Sequence, residues 1–325
     1  MSFYSKEILI TGGLGFIGSN LALRLVSEGA KVTLMDSMLD EYGANLFNIK
    51  DIRDKVKINY SDMRDKHSLA YLVRGKDYIF NLAGQVSHQD SMKDPFMDLE
   101  VNTRAQLTLL ECCRFNAPNV VIVFSSTRQI YGAPEYLPVD EQHSLHPPDV
   151  NGINKLAAEY YHQLYTRVYN IRTVSLRLTN TYGPRQLIKN ARQGVIGWFV
   201  NRAITGNTIQ LFGTGEQIRD FTYVDDVVDA LCRVALQPET YGHVYNLSGM
   251  CASLKHVAEL LIQYTQKGRI EVVPFPSDRK KIDIGDFYGK SEKLEHVTGW
   301  KPSITLEDGL NRMIQYYKQY GREYL

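Results

Sequence analysis

Three glycines and one carboxylate near the start of the chain have the spacing of a dinucleotide-binding site. Gly12, Gly15 and Gly18 follow the apolar run Glu7–Thr11 and precede a helical pattern. Gly12 would permit a tight turn, Gly15 would let backbone N–H groups approach a pyrophosphate, and Gly18 would let helix and strand pack closely. Asp36 ends the next apolar run, where a carboxylate accepts hydrogen bonds from a ribose and repels a 2′-phosphate. This pattern predicts binding of NAD rather than NADP.

The elements that must position these residues alternate along the first 180 positions. The predicted strands are Glu7–Thr11, Lys31–Met35, Val56–Asn59, Tyr78–Leu82, Val120–Ser125 and Arg172–Leu178. The predicted helices are Gly15–Glu28, Lys66–Val73, Asp98–Asn116 and Gly152–Tyr169. Repeated βα units of this kind predict an α/β fold of the Rossmann type, with a doubly wound parallel sheet and helices on both faces.

The pattern changes after Gly183, where Gly- and Pro-rich joints, a basic segment and shorter elements begin. We therefore divide the chain into an NAD-binding domain at 1–183 and a smaller α/β substrate-binding lobe that makes up most of 184–325. An apolar run at His243–Leu247 predicts a strand that returns to the edge of the first sheet.

Composition excludes several classes of protein. The chain has 37 basic and 36 acidic residues and a net charge of +1, which argues against a nucleic-acid-binding surface. No apolar run reaches the length of a bilayer span, and the N-terminus lacks the pattern of a signal peptide, so we expect no membrane partner. The four cysteines lack metal-ligand spacing, which predicts reduced thiols in a cytoplasmic protein without a bound metal.

Six motifs, in order along the chain, make it similar to the extended short-chain dehydrogenase/reductases of the nucleotide-sugar epimerase/dehydratase family, and to UDP-glucose 4-epimerases among them. The matching segments are Thr11–Gly18, Asp62–Asp65, Asn81–Gly84, Ser125–Gly132, Arg177–Pro184 and Arg219–Asp226. The resemblance implies NAD as cofactor and a nucleotide-diphosphate sugar as substrate. The segment Arg192–Phe199 also resembles the corresponding stretch of CDP-tyvelose-type 2-epimerases. This resemblance suggests that Trp198 or Phe199 stacks on the nucleotide base.

The resemblance assigns binding roles position by position. The cofactor residues that it implies are Gly12, Gly15, Phe16, Ile17, Gly18, Asp36, Asp62, Met63, Leu82, Ala83, Gly84, Ser125 and Lys155. The substrate residues that it implies are Ser87, Thr127, Asn180, Arg219 and Arg279. Asn180 and the two arginines would contact the diphosphate, for which planar guanidinium groups are suited. Arg219 has the alternative of an ion pair with Asp220 or Asp225.

The chain departs from the family at the catalytic tyrosine. The family uses Tyr-x-x-x-Lys on one helix face with a Ser or Thr from strand five, and the tyrosine takes a hydroxyl proton while hydride leaves the sugar. Here the segment is Asn151-Gly-Ile-Asn-Lys155, with Thr127 at the hydroxyl position. Asn151 can form hydrogen bonds, but an amide does not act as a general base.

Several explanations of Asn151 stay open. His88 or Tyr131 could replace the base, since imidazole has the right chemistry for proton transfer. Alternatively, the substrate already carries a keto group that Asn151 and Thr127 polarise, or the protein binds its ligands without turnover. A substitution introduced to inactivate the site would produce the same sequence.

Two further positions narrow the reaction. Family members that dehydrate at sugar carbons 4 and 6 carry two carboxylates after the strand-five threonine, where this chain has Arg128 and Gln129. The sequence therefore disfavours a 4,6-dehydratase. Because Gln129 has no carboxylate, the sequence also disfavours a decarboxylase of this family. We predict an NAD-dependent epimerase that works through a transient keto sugar with non-dissociating NAD. A nucleotide-sugar dehydrogenase or ketoreductase and a silent binding protein are the alternatives.

The resemblance also implies a homodimer. The helical patterns at Asp98–Asn116 and Gly152–Tyr169 correspond to those that form a four-helix dimer interface in this family. The residues expected on that face are Leu107, Leu110, Leu156 and Tyr160.

Overall fold

A computed structural model describes residues 2–325, together with every side chain in that range except those of Asp278 and Arg279. Its strands are β1 (Glu7–Thr11), β2 (Lys31–Met35), β3 (Val56–Asn59), β4 (Tyr78–Asn81), β5 (Val121–Thr127), β6 (Arg172–Leu178), β7 (Asn180–Tyr182), β8 (Thr208–Phe212), β9 (Ile218–Tyr223), β10 (Val244–Leu247), β11 (Met250–Ser253) and β12 (Arg269–Val273). Its α-helices are α1 (Phe16–Ser27), α2 (Lys66–Leu72), α3 (His88–Lys93), α4 (Pro95–Leu99), α5 (Ala105–Asn116), α6 (Val150–Tyr169), α7 (Val195–Ile204), α8 (Val224–Leu236), α9 (Leu254–Thr265), α10 (Ser277–Lys280), α11 (Glu292–Thr298) and α12 (Leu306–Tyr320).

The main sheet has seven strands in the order β10-β6-β5-β4-β1-β2-β3. All of its neighbouring pairs are parallel. The order reverses direction at β1, as in doubly wound nucleotide-binding folds, in which ligands bind at the carboxyl ends of the strands beside that reversal. The predicted Rossmann-type sheet is therefore confirmed, and the carboxyl ends of β1, β2, β4 and β5 become the place to look for a site.

Both faces of this sheet are buried, because successive side chains point to opposite sides. Ile8 and Ile10 of β1 belong to one apolar cluster, and Leu9 between them belongs to the other. The first cluster includes residues of α1 and α8, and the second includes residues of α2 and α5. Continuous apolar strands with helices on both faces are typical of parallel sheets.

The helix predicted at Asp98–Asn116 begins earlier and is not uniform. Asp94 caps α4 by accepting a hydrogen bond from the Met97 amide, and a π-helical turn at Glu100–Arg104 joins α4 to α5. The helix predicted at Gly152 begins instead at Val150, because Asp149 accepts a hydrogen bond from the Gly152 amide and so acts as the N-cap.

The second half of the chain does not form a wholly separate lobe. The strand predicted at His243–Leu247 is present as β10 and pairs with β6 at the edge of the main sheet. Helix α8 also packs against α1 in the first apolar cluster. The remaining strands form a three-stranded sheet of β11, β9 and β7 and a parallel pair of β12 and β8. The boundary at 183/184 stays a prediction.

The residues expected at a dimer interface have different environments. Leu110 is fully buried in the second apolar cluster, Leu107 is partly buried against that cluster, and Leu156 is partly buried in a third. Tyr160 is exposed. The placement of Leu110 on an outer face was therefore wrong, since its side of α5 packs on the sheet. Within residues 2–325, we find no helix with the length and apolar character needed to cross a bilayer.

Candidate active site at the carboxyl edge of the main sheet

The glycine turn between β1 and α1 has the geometry that its sequence predicts. Gly12 has a φ of +68°, a conformation that favours glycine. A Cβ at Gly18 would overlap the carbonyl oxygen of Gly12, so close packing of helix and strand requires glycine there. Gly15 is the N-cap residue of α1, and no described side chain caps this helix. The first turn, which contains Phe16 and Ile17, therefore presents a helix N-terminus that suits a phosphate.

Asp36 lies directly after β2 and connects that strand to the glycine turn. Its Oδ2 accepts a hydrogen bond from the Leu14 amide at 3.0 Å, and its Oδ1 accepts one from the Met38 amide at 2.9 Å. Burial raises the pKa of Asp36, while the two amide donors oppose that shift. The carboxylate is thus fixed beside the phosphate-binding turn, where a ribose would be recognised.

The segment expected beside the adenine is also at this edge. Asp62 forms two hydrogen bonds with the Arg64 guanidinium, of 2.9 and 2.8 Å, and the pKa of Asp62 is lowered chiefly by this contact. Met63 is buried in the second apolar cluster. The amides of Leu82 and Ala83, after β4, donate to the Thr11 hydroxyl oxygen.

Lys155 is buried behind the end of β5. Its Nζ donates to the Ser125 carbonyl oxygen at 3.2 Å, and the Ser125 hydroxyl donates to the Asn81 carbonyl oxygen. Burial lowers the pKa of Lys155 to about 8, although Asp98 opposes the shift. A Cβ at Gly84 would lie 2.9 Å from the Lys155 Nζ. Glycine at 84 therefore leaves room for the amine at the expected cofactor position.

Asn151 uses its amide inside the protein. Its Nδ2 donates to the Gln85 carbonyl oxygen at 2.8 Å and to Asp98 Oδ2 at 3.0 Å. Asp98 is fully buried, and its other oxygen accepts a hydrogen bond from Asn154 Nδ2 at 2.8 Å. Both N–H bonds of Asn151 are thus engaged, which corrects the expectation that this amide donates to a substrate.

Thr127 is the last residue of β5 and is half-buried. Its Oγ1 accepts a hydrogen bond from the Gln129 amide at 3.2 Å. Within the described residues the threonine hydroxyl has no protein acceptor for its own hydrogen, so the O–H bond is available to a substrate oxygen.

His88 begins α3 and pairs with the N-cap of α6. Its Nδ1 lies 2.9 Å from Asp149 Oδ2, and the same oxygen accepts a hydrogen bond from Gln129 Nε2 at 2.8 Å. Burial by itself would raise the pKa of Asp149. The contacts with His88, Gly152 and Gln129 outweigh burial, so the pKa of this carboxyl is lowered.

Tyr131 is in a different environment. It is fully buried, its hydroxyl donates to Asn246 Oδ1 at 2.7 Å, and it accepts a hydrogen bond from Arg177 at 2.6 Å. Burial raises the pKa of Tyr131 to about 12. These contacts place it in the core and remove it as a proton acceptor. Phe199 is likewise a core residue, and the half-buried Trp198 packs against the same cluster, which weakens the idea that either stacks on a base.

Two of the substrate-side residues, Asn180 and Arg219, lie on neighbouring strands of the three-stranded sheet. The Asn180 Nδ2 donates to the Asp220 carbonyl oxygen, and Arg219 pairs with Asp283 at 3.2 Å, not with Asp220 or Asp225. Burial lowers the pKa of Arg219, while Asp283 opposes the shift. The Ser87 hydroxyl caps α3 by accepting a hydrogen bond from the backbone N–H of Asp90. The side chain of Arg279 lies outside the described residues.

The structure adds residues that sequence reasoning missed. Asp149, Asp98 and Gln85 hold His88 and Asn151, and the N-cap position of Asp149 two residues before Asn151 was the available signal. Arg128 lies over the Phe287 ring at 5.1 Å and has no ion pair among the described side chains. Burial, helped by Arg219, lowers the pKa of Arg128 to about 10.

Comparisons with known proteins agree with this geometry. The family model described as GDP-mannose 4,6 dehydratase matches residues 9–313. The chain is 29% identical over 315 residues to UDP-glucose 4-epimerase of Mycolicibacterium smegmatis, covering 95% of this chain and 98% of that protein. It is 28% identical over 340 residues to CDP-paratose 2-epimerase of Salmonella typhi, covering 94% and 98%.

Solved structures extend the comparison to ligands. UDP-glucose 4-epimerase of Thermotoga maritima, solved with UDP-glucose, superimposes with a TM-score of 0.88 at 28% identity, covering 97% of this chain and 99% of that one. UDP-glucose 4-epimerase of Thermus thermophilus, solved with NAD, gives a TM-score of 0.85 at 28% identity, covering 96% and 99%. From the family-model match and the shared fold, the chain belongs to the extended short-chain dehydrogenase/reductase family of nucleotide-sugar epimerases and dehydratases.

Proposed function

We propose that the protein is an NAD-dependent epimerase of a nucleotide-activated sugar, acting through a transient keto sugar with NAD that stays bound. The observation that carries this proposal is the end of β5, where the buried amine of Lys155 lies against Ser125 and Gly84. Thr127 in the same strand keeps a hydroxyl for the sugar. The family's sugar-oxidising machinery is thus retained except for its tyrosine.

The described residues fit NAD. The turn at Gly12–Gly18 would hold the pyrophosphate, Asp36 would accept hydrogen bonds from the adenosine ribose, and Lys155 would hold the nicotinamide ribose. When bound, NAD accepts hydride from a sugar carbon and returns it. The Thr127 hydroxyl would donate to the reacting sugar oxygen and so hold the carbon in one orientation.

The substrate diphosphate would lie against the three-stranded sheet, beside the paired strands β7 and β9. Asn180 and Arg219 are on these neighbouring strands, and Arg128, which follows β5, is a second, half-buried guanidinium whose pKa the charge of Arg219 lowers further. Buried guanidinium groups bind phosphate oxygens strongly because water does not compete for them.

The function is tested with purified NAD-loaded protein and a panel of UDP-, GDP-, CDP- and dTDP-sugars. We expect chromatography to detect an epimer of one panel member, with NAD still bound after gel filtration. Net accumulation of NADH would favour a dehydrogenase instead, and net consumption of added NADH with a keto sugar would favour a ketoreductase.

A silent binding protein is the second candidate, because both N–H bonds of Asn151 are used within the protein. Tight binding of a panel member by calorimetry without formation of any product would support that alternative and contradict the epimerase.

We also propose a homodimer in a reducing, cytoplasmic compartment. Exposed apolar side chains on α4 and α6 would form the interface: Phe96, Met97, Ile153, Tyr160 and Leu164. Large exposed apolar patches mark interaction surfaces. All four cysteines are free, as expected where thiols stay reduced. Ile153→Glu would give a monomer on light scattering, whereas an unchanged mass would contradict this interface.

A further inference from the structure

Sugar oxidation at this site requires a proton acceptor, and the position of the family's tyrosine does not provide one. Asn151 does not titrate, and Tyr131 is buried with both sides of its hydroxyl engaged. Lys155 donates to Ser125 and is the group expected to hold the cofactor. A replacement must therefore come from another element that reaches the start of α6.

His88 and Asp149 form a histidine–carboxylate pair at that place. Nδ1 of His88 is buried 2.9 Å from Asp149 Oδ2, yet 36% of the histidine side chain is exposed. The exposed surface therefore belongs to the other ring atoms, on the side that carries Nε2. The contact has the distance of an ion pair without the alignment of a hydrogen bond, and a carboxylate so close favours the ring proton on Nδ1. In that neutral ring, Nε2 carries the lone pair that accepts a proton.

Asp149 does more than cap a helix. Capping needs one acceptor, and Asp149 Oδ1 supplies it to the Gly152 amide at 2.7 Å. The second oxygen is buried as well, and it contacts His88 and the Gln129 side chain. A serine or threonine would cap the helix equally well but would leave the imidazole without an anionic partner.

Other hydrogen bonds connect this pair to the catalytic positions. The Gln129 side chain donates to Asp149, and its backbone N–H donates to the Thr127 hydroxyl oxygen at 3.2 Å. On the other side, the Ser91 hydroxyl donates to the His88 backbone carbonyl oxygen and accepts a hydrogen bond from the backbone N–H of Asn151. These bonds connect the His88–Asp149 pair through Gln129 to the strand-five hydroxyl, and through Ser91 to the helix turn where the family has its tyrosine.

Resting on the proposed function, we propose that His88, oriented by Asp149, takes the hydroxyl proton of the sugar and later returns it. During oxidation the O–H and C–H bonds of one sugar carbon break and its C=O bond forms. The proton moves to His88 Nε2 and the hydride to the bound nicotinamide. The buried carboxylate of Asp149 stabilises the imidazolium that results. Return of the hydride to the opposite face of the carbonyl carbon, with return of the proton from His88 to the oxygen, would give the epimer, so no other oxidant or reductant is consumed.

The test compares His88→Ala with His256→Ala in the NAD-loaded enzyme. His256 is an exposed histidine in the first turn of α9, which a serine also caps, so it matches His88 in local setting but lies outside the site. We expect His88→Ala to lower kcat by about 10²–10⁴-fold, and the control to keep wild-type kcat. Free imidazole should restore part of the His88→Ala rate, with little change in binding of NAD or of the panel sugar nucleotide that the wild-type enzyme converts.

Asp149→Asn provides the second variant, because asparagine keeps the helix cap while removing the charge. We expect a fall in kcat in a protein that still folds, with a lower melting temperature because one buried acceptor of Gln129 is lost, and with a rate that, unlike that of His88→Ala, free imidazole does not raise. A His88→Ala enzyme that keeps more than half of wild-type kcat, or one whose lost rate imidazole does not restore, would overturn the inference while the epimerase stands. A wild-type protein that turns over no sugar in the panel would instead overturn the proposed function, and this inference with it.

Discussion

The cofactor end and the catalytic end of this site are built by different means. The turn from Gly12 to Gly18 and the carboxylate of Asp36 are local features, each determined by a few consecutive residues and by the order of β1, α1 and β2. At the catalytic end, His88 and Asn151 are held by partners from separate elements, chiefly Asp149 and Asp98.

This difference shows how the family pattern is kept at one end and changed at the other. The cofactor end is constrained by backbone geometry, since a side chain at Gly18 would overlap the Gly12 carbonyl. The catalytic end is constrained instead by side-chain hydrogen bonds between residues of separate elements. A tyrosine at 151 would displace an amide that Asp98 and Gln85 both use. The side chains at this end therefore form one hydrogen-bonded network.

The largest effect is expected for Gly18→Ala. The added Cβ would push α1 away from the glycine turn, so we expect a loss of about 3 kcal/mol in unfolding free energy and no detectable NAD binding. Urea unfolding and calorimetry measure both. Gly75→Ala is the control, because Gly75 has a φ of +68° but open space around it, which should cost about 1 kcal/mol. Equal unfolding free energies of the Gly18→Ala and Gly75→Ala variants would contradict the claim that backbone packing at Gly18 constrains the cofactor end.

Lys155→Met should lower the rate of sugar oxidation by about a hundredfold or more, since a fixed cation beside the cofactor is lost. It should also change how stability depends on pH. In the cofactor-free protein burial lowers the pKa of Lys155 from 10.5 to about 8, so the unfolded chain binds this proton more tightly. Its contribution to stability rises with pH between about 8 and 10.5. A variant that retains the wild-type slope in this window would contradict the buried amine.

Asn151→Ala should destabilise the fold by about 2 kcal/mol, because Asp98 Oδ2 and the Gln85 carbonyl oxygen lose a buried donor. Asn311→Ala on the exposed face of α12 is the matched control and should be nearly neutral. We expect Asn151→Tyr to leave turnover no higher than wild type. A gain in turnover would mean that the catalytic end still follows the family pattern.

The smallest effect is expected for Asp36→Asn, which keeps the shape of the side chain but removes its charge. We expect NAD affinity to fall about tenfold and the preference over NADP to narrow, because charged acceptors bind ribose hydroxyls more strongly. Calorimetry with both dinucleotides measures this, with Asp51→Asn as an exposed control. An unchanged preference would remove Asp36 from cofactor recognition.

Sequence was a better guide to the cofactor end than to the catalytic end. The strands of the main sheet and the return of β10 to its edge could be predicted, because apolar runs and glycine turns are local signals. Leu110 was misplaced because periodicity does not tell which apolar side of a buried helix meets the sheet. The pairing of His88 with Asp149 was out of reach, since only folding brings the start of α3 and the start of α6 together.

The most direct test of the central claim is a single-turnover experiment. NAD-loaded wild-type protein is mixed with the nucleotide sugar that binds most tightly, and absorbance at 340 nm is followed together with the products. We predict a transient rise that decays as the epimer appears, because hydride leaves the sugar and then returns to it. A flat trace with no product, despite saturated binding, would contradict the claim that this site oxidises sugars.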